Sequence, residues 1–261
     1  MLSYRYLFSQ LVRRELRQKY KGSALGVLWY LVNPLVLMGA YTLMFGFVLN
    51  VEGASRPHPY PIFLMIGIVV WTFFAQSLLA AAPSLIEQGG LVRKARFPRE
   101  VIPGSAVMVQ LITFAAVLVL LVPIALALCG SLSAALLLLP VLVALLFAFT
   151  LGCALIVAVL HAYFRDIAPI VAAALLPWFF VTPIFFATNQ LGPVQHHPFL
   201  GTLLDWVNPI APFILAIRAV LFYGRAPELG QVVYAAVAAA VALTLGRAVF
   251  ARMEGELAVI V

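Results

Sequence analysis

The sequence predicts an all-α integral membrane protein. It would have six transmembrane helices, an N-terminal amphipathic helix in the cytoplasmic interface, and short re-entrant outer helices between spans five and six. Three observations predict this. Of the 261 residues, 65% are hydrophobic and 10% are charged, whereas a soluble domain carries about 25% charged and about 45–50% apolar residues. Long uncharged stretches separate the charges. Those stretches are continuous rather than alternating, which favours helices over barrel strands of about 9–11 residues. A helix also satisfies its own backbone groups in lipid. The composition excludes an ordinary soluble enzyme, a disordered chain and a disulfide-rich secreted scaffold. Cys129 and Cys153 both lie in apolar runs, so neither a disulfide framework nor a zinc spacing is present.

The charge gaps give the elements in order. There are 30 uncharged residues between Lys21 and Glu52, 30 between Arg56 and Glu87, and 64 between Glu100 and Arg165. A further 38 separate Asp166 from Asp205, and 18 separate Glu228 from Arg247. A spanning helix needs about 20 apolar residues. Spans are therefore expected near 26–49, 61–82, 105–128, 134–160, 167–187 and 230–250. The 64-residue run holds two of them, joined at Gly130-Ser131-Leu132-Ser133, which has breaker chemistry. Prolines 34, 123, 140, 169, 177 and 183 fall in or beside spans and suggest kinks. The whole chain, 1–261, reads as one domain: an interfacial helix (1–25), the six-span region (26–250) and a tail (251–261).

Residues 1–21 read as a helix. Tyr4, Leu7, Phe8 and Leu11 share a face, widened by Val12 and Leu16, while Arg13 and Arg17 lie opposite. Residues 188–229 are too apolar for a free loop and too broken for a span. A seventh and eighth span would bury Asp205, Arg218 or Arg225, at about 2.5–3.5 kcal/mol per central charge.

The net charge of +7 would suggest nucleic acid in a soluble protein. In a chain this apolar it is an orientation signal, and no nucleic-acid partner is expected. Residues 1–25, 83–104, 161–166 and 247–261 hold 13 of the 16 Lys and Arg, and the opposite side holds 3. That asymmetry places both termini in the cytoplasm. The first apolar run is much longer than a signal h-region and lacks a small-residue cleavage site, so no cleavable signal is expected.

The spans contain almost no ionisable groups, whereas proton-coupled carriers place Asp, Glu or His in the membrane. His161, beside Arg165-Asp166, reads as an interfacial or capping residue. The His196-His197 pair has no further ligands near it, so no metal site is assigned. The three lysines, Lys19, Lys21 and Lys94, do not follow glycine, which excludes a P-loop in this chain. No catalytic residue and no cofactor of its own are assigned, and another polypeptide must power any vectorial work. The chain holds 19 Phe, 9 Tyr and 4 Trp. Trp71-Thr72-Phe73-Phe74, Trp178-Phe179-Phe180 and Phe185-Phe186 cluster within spans. They could pack helices and form a lipid belt, or line a pore whose aromatic faces stack on the CH-rich face of a sugar.

Several segments resemble one family. RRELRQKYKGSALGVLWYLVNPL (13–35) is similar to the start of permease subunits of ABC-2-type exporters, in particular the polysaccharide group. YPIFLMIGIVVWTFF (60–74), LVRKARFPREVIP (91–103), FRDI (164–167) and Asn208-Pro209 follow in the family's order, and the match runs nearly end to end. O-antigen export permeases are the nearest in pattern, and teichoic-acid exporters share much of it. The resemblance implies a homodimer of six-span subunits in the bacterial inner membrane, bound to two copies of a P-loop ATPase that holds ATP and Mg. A lipid-linked polysaccharide would pass between the permeases. It also implies that spans one and five line the path, which singles out Tyr41, Phe45, Phe180 and Phe185. The loop after span two would contact the ATPase through Glu87, Arg93, Lys94 and Arg96, with Ser84–Glu87 starting a short helix. An ABC-2-type exporter of teichoic acid, lipid or drug shares this fold. A membrane transferase would need carboxylates or histidines converging at one membrane face, and these are only scattered here.

Overall fold

A computed structural model describes residues 5–20, 29–44, 58–94, 97–130, 132–187, 201 and 203–256. Among these every regular element is helical. The helices are α1 (Arg5–Tyr20), α2 (Trp29–Leu43), α3 (Tyr60–Glu87), α4 (Gly89–Lys94), α5 (Val101–Cys129), α6 (Leu139–Tyr163), α7 (Ile167–Val181), α8 (Ala211–Leu221) and α9 (Leu229–Met253). A 3-10 turn at Ala134–Leu138 leads into α6, and a π turn at Leu203–Val207 precedes α8.

Among the described residues four helical stretches are long and apolar enough to cross a membrane: Tyr60–Glu87, Val101–Cys129, Ala134–Tyr163 and Leu229–Met253. At about 1.5 Å per residue, the 28 residues of α3 exceed the hydrocarbon core of about 30 Å. The 15-residue α2 and α7 fall short of it by the same measure. The predicted first span, 26–49, extends beyond α2 into residues that are not described.

The predicted fifth span ends early. Helix α7 stops at Val181, and its cap Thr182 is extended at φ −76°, ψ 138°. Pro183 explains this, because proline disfavours helical backbone in the residue before it. The chain then folds inward with Thr182, Pro183, Ile184 and Phe185 all buried. The expected kinks divide similarly. Pro34, Pro123 and Pro177 lie inside helices, whereas Pro140 stands in the first turn of α6, where its missing N–H costs nothing.

Helix α3 is the axis of the fold. In its most apolar 18-residue stretch 83% is buried, against 33%, 44% and 22% in the other three long stretches. Ile62 through Trp71 are buried without a break, so this helix is apolar all round because protein surrounds it. Helices α2, α5, α6, α7 and α8 pack around it. The outer helices instead leave apolar stripes open, such as Val233, Val237, Val241 and Leu245 on α9, as lipid contact requires.

The tightest pairing joins α6 to α9. A Cβ at Gly152 would collide with the Ala242 backbone, and one at Gly246 with Gly152 itself. Ala235, Ala239, Ala242 and Gly246 form the buried seam. Small residues at this spacing let backbones approach where lipid gives no hydrophobic drive between helices. A second, smaller core of Leu85, Val92, Ile102, Leu155, Val159 and Phe250 gathers the opposite end. The Tyr163 hydroxyl donates to Met253 O at 2.7 Å, and Arg99 donates to Glu254 O.

The turn between α5 and α6 has its expected chemistry. Gly130 is left-handed at φ 62° and donates to Leu126 O, and Ser133 Oγ accepts from Ala135 N at 3.2 Å. His161 is a capping residue, as its position suggested. Its Nδ1 accepts from Ala168 N at 3.2 Å in the first turn of α7, satisfying one of the donors a helix start leaves open.

Candidate functional site

The aromatic residues singled out on α2, on α7 and in the turn after α7 meet. Tyr41 lies edge-on to Phe185 with ring centroids 4.8 Å apart, and 5.8 Å from Phe179. Phe180 stacks on Phe185 at 5.8 Å. Three of the four predicted path residues thus form one cluster, and Phe45 lies outside the described residues. Edge-to-face and offset geometries of this kind are the preferred aromatic arrangements. Phe185 is buried, Tyr41 half-buried, and Phe180 51% exposed, so the cluster has a closed inner side and an open outer one. Apart from Leu175 and Phe179, no residue of α7 is buried, which leaves most of that helix uncovered by the described residues.

Two polar anchors hold this cluster in place, and sequence reasoning did not assign either. Asn208 Oδ1 accepts from Trp178 Nε1 at 2.9 Å and from Ile210 N at 3.3 Å, while its Nδ2 donates to Thr182 Oγ1 at 2.9 Å. It ties the end of α7 to the entrance of α8. The Asn-Pro pair was visible in the sequence, but its partners are 26 and 30 residues away.

Arg218 on α8 is 1% exposed. Its Nε donates to Phe63 O at 3.2 Å, Nη1 to Pro183 O, and Nη2 to Ile184 O at 2.6 Å. The guanidinium carbon lies 3.6 Å from the Phe63 ring centroid. This side chain satisfies the carbonyls exposed where α7 ends early. The charge that argued against a span here thus serves the non-helical turn after α7. Irregular backbone at membrane depth is tolerated where protein covers it.

The opposite end carries the other predicted site. Helix α3 runs on through Ser84–Glu87, where a separate short helix start was expected. Ser84 Oγ donates to Ala81 O at 2.7 Å and Leu85 is fully buried, so these residues continue the α3 core. The break comes at Gln88, and the short helix is α4, Gly89–Lys94. Glu87 is exposed at the junction. Arg93 and Lys94 lie on α4, with side chains outside the description, and Arg96 lies outside the described residues.

Helix α1 docks beside this junction. Leu11 and Val12 are buried, Arg13 and Arg17 are exposed, and Tyr4 of the predicted stripe is outside the described residues. Ser105 Oγ donates to Glu15 Oε1 at 2.9 Å, Lys19 Nζ to Gln110 Oε1 at 3.0 Å, and Arg14 Nη1 to Gln88 Oε1 at 3.5 Å. Burial pushes the Glu15 carboxyl above its ordinary value, against the Ser105 hydrogen bond, and nearby Glu87 adds to the rise. Burial lowers Lys19 to about 8. The polar contacts of α1 thus reach α5 and the α3–α4 break.

Known proteins match this chain over nearly its whole length. The ABC-2 type transporter family matches residues 6–222. An O-antigen export system permease protein RfbA of Myxococcus xanthus is 30% identical over 258 residues, covering 99% of this chain and 96% of that protein. Two permeases of the same name from Klebsiella pneumoniae are 28% and 29% identical over 244 residues, covering 84% of this chain and 82% of each relative. With an all-helical fold, four helices of membrane-crossing length and this coverage, the chain belongs to the ABC-2 type transporter family.

Proposed function

We propose that this chain is the membrane permease of an ATP-driven exporter that moves a lipid-linked polysaccharide of the O-antigen kind across the bacterial inner membrane. The observation that carries this is the extent of the likeness: 99% of the chain aligns with a protein named as an O-antigen export permease. The permease works as a homodimer of six-span subunits with both termini in the cytoplasm, bound to two copies of a separate P-loop ATPase that holds ATP and Mg.

The transport path runs between the two permeases along α2 and α7. The open side of the Tyr41, Phe180 and Phe185 cluster, together with the uncovered face of α7, supports that placement. Aromatic rings close a resting pore by excluding water and offer stacking faces to sugars during passage. The ATPase docks at the α3–α4 break through Glu87, Arg93, Lys94 and Arg96, and α1 lies in the cytoplasmic interface beside it. The exposed Glu87 and the bond from Arg14 to Gln88 support this assignment.

Deleting the gene in its host and probing intact cells for surface polysaccharide tests the reading. Loss of surface glycan with lipid-linked glycan accumulating inside is expected, with rescue by the wild-type chain. Unchanged surface glycan would defeat it. Cysteines placed at Ser3 and Ser55 report the topology: impermeant reagents should label only position 55, and labelling of both would sink the six-span arrangement.

A further inference from the structure

Between α8 and the start of α9 lies a cleft of about 220 Å³ that the aromatic path does not use. Trp206, Tyr223, Asp205, Arg225, Glu228 and Gln231 are among its lining residues, with Arg218 at its floor. Three features show how it is built. Gly224 is left-handed at φ 59° and turns the chain after α8, with Arg225 N bonded back to Ala219 O at 2.9 Å. This sets Tyr223 and Arg225 on the lip, the guanidinium 5.1 Å from the Tyr223 ring centroid. Trp206 rests over Gly230, where an added Cβ would come 3.0 Å from the indole, and its ring meets Tyr234 edge-on at 5.7 Å. Gln231 Oε1 is buried and has no hydrogen-bond partner among the described residues. A buried amide oxygen left in that state is costly and marks a position where a donor is missing.

The chemistry of the lining narrows the ligand. Trp206 and Tyr223 remain partly exposed and offer flat apolar faces with polar edges. The Glu228 carboxylate and the free carboxamide oxygen of Gln231 are acceptors for hydroxyl groups. An anion such as phosphate suits the cleft poorly. Asp205 and Glu228 offset the charges of Arg218 and Arg225, so the lining has no net positive charge to attract it, and Arg218 spends three of its five donors on backbone carbonyls. The size fits one ring, because a cavity of about 150 Å³ already takes benzene and clefts for larger ligands start at about 300 Å³.

We infer that this cleft is a subsite for a single neutral pyranose, stacked on Trp206 and Tyr223 and donating a hydroxyl to Gln231 Oε1. The inference rests on the export reading given above, under which the segment between spans five and six faces outward. The subsite then holds a sugar of the glycan as it emerges and disfavours backward sliding, separately from the Tyr41–Phe180–Phe185 path.

Saturation-transfer NMR on the purified full-length permease in nanodiscs tests this. The probes are the methyl glycosides of mannose, galactose, glucose and rhamnose, with inorganic phosphate as the anionic competitor. At least one glycoside should receive saturation at its ring protons, and phosphate should not displace it. Trp206→Ala and Gln231→Leu should each weaken binding by about tenfold, while Trp206→Phe, which keeps a stacking face, should retain most of it. Gln231→Leu keeps the test decisive if the tryptophan variant is poorly folded. No transfer to any glycoside, equal transfer to the folded Trp206→Ala and Gln231→Leu variants, or displacement by phosphate would overturn the subsite. The gene deletion is read separately: glycan export lost but no sugar bound defeats the subsite alone, whereas export unaffected defeats the functional reading beneath it.

Discussion

Replacing Gly67 with alanine should loosen the end of the molecule that holds Arg218 more than one methyl group suggests. Gly67 lies on α3 facing Arg218. A Cβ there would come 2.5 Å from Arg218 Nη2 and 3.2 Å from Ile184 Cγ2. The guanidinium has little freedom to yield, since three carbonyls and the Phe63 ring hold it. In an unobstructed helix this substitution stabilises by about 0.8–1.0 kcal/mol. Here, displacing the guanidinium sacrifices its bonds to Ile184 and Pro183, each worth about 1.5–3 kcal/mol for a charged donor. The net effect is destabilisation of about 2–5 kcal/mol. At about 2–4 °C per kcal/mol for a chain of this size, the apparent Tm falls by on the order of 10 °C. Thermal unfolding of the detergent-purified permease at one fixed scan rate reads this. Arg218→Met supplies the control: once the guanidinium is gone, Gly67→Ala should cost almost nothing more. A Gly67→Ala protein as stable as wild type, or strict additivity of the two changes, would refute the proposed seat of Arg218 against Gly67.

Other perturbations test other contacts. Gly152→Val should abolish a monodisperse folded peak, because its Cβ meets the Ala242 backbone, whereas Gly39→Ala, with open space around it, should leave that peak unchanged. Docking of α1 should depend on pH with opposite signs from two groups. Glu15, raised from 4.5, favours the docked helix below about pH 4.5 and loses that contribution as pH rises through its raised value. Lys19, lowered from 10.5 to about 8, makes docking stronger as pH climbs from about 8 to about 10.5. A spin-label distance between positions 10 and 98 should track both, and Glu15→Gln should remove the acid-side change; a distance that ignores pH would count against this pair. The Tyr41→Ala, Phe180→Ala double variant should impair export or leak ions while still assembling; wild-type export through an ion-tight membrane would return these rings to packing roles. Glu87→Ala and Arg93→Ala should lower export per ATP hydrolysed with folding intact, and unchanged assembly, hydrolysis and export would remove the α3–α4 break from the ATPase contact.

Composition and charge spacing by themselves determined which segments are helical and apolar enough for lipid. The four long stretches coincide with predicted spans to within a few residues, because each helix must satisfy its own backbone and charges are confined to its ends. Turn chemistry is equally local, so Gly130 and Ser133 act where expected, and His161 caps a helix that starts six residues later. Resemblance singled out Tyr41, Phe180 and Phe185, but their ring contacts within one chain are a result of the tertiary packing. Only tertiary structure decided which helix sits at the centre, since α5 is the more apolar of the two to a sequence and yet α3 is the one that protein covers. It also decided where α7 could end. The carbonyls after Val181 are tolerable because Arg218, 34 and 35 residues onward, reaches them, and Arg218 fits because Gly67 on a third element has no side chain. Such pairings leave no periodic trace in the chain. They depend on which atoms face each other across a helix crossing, and that is fixed by packing rather than by the composition of either helix.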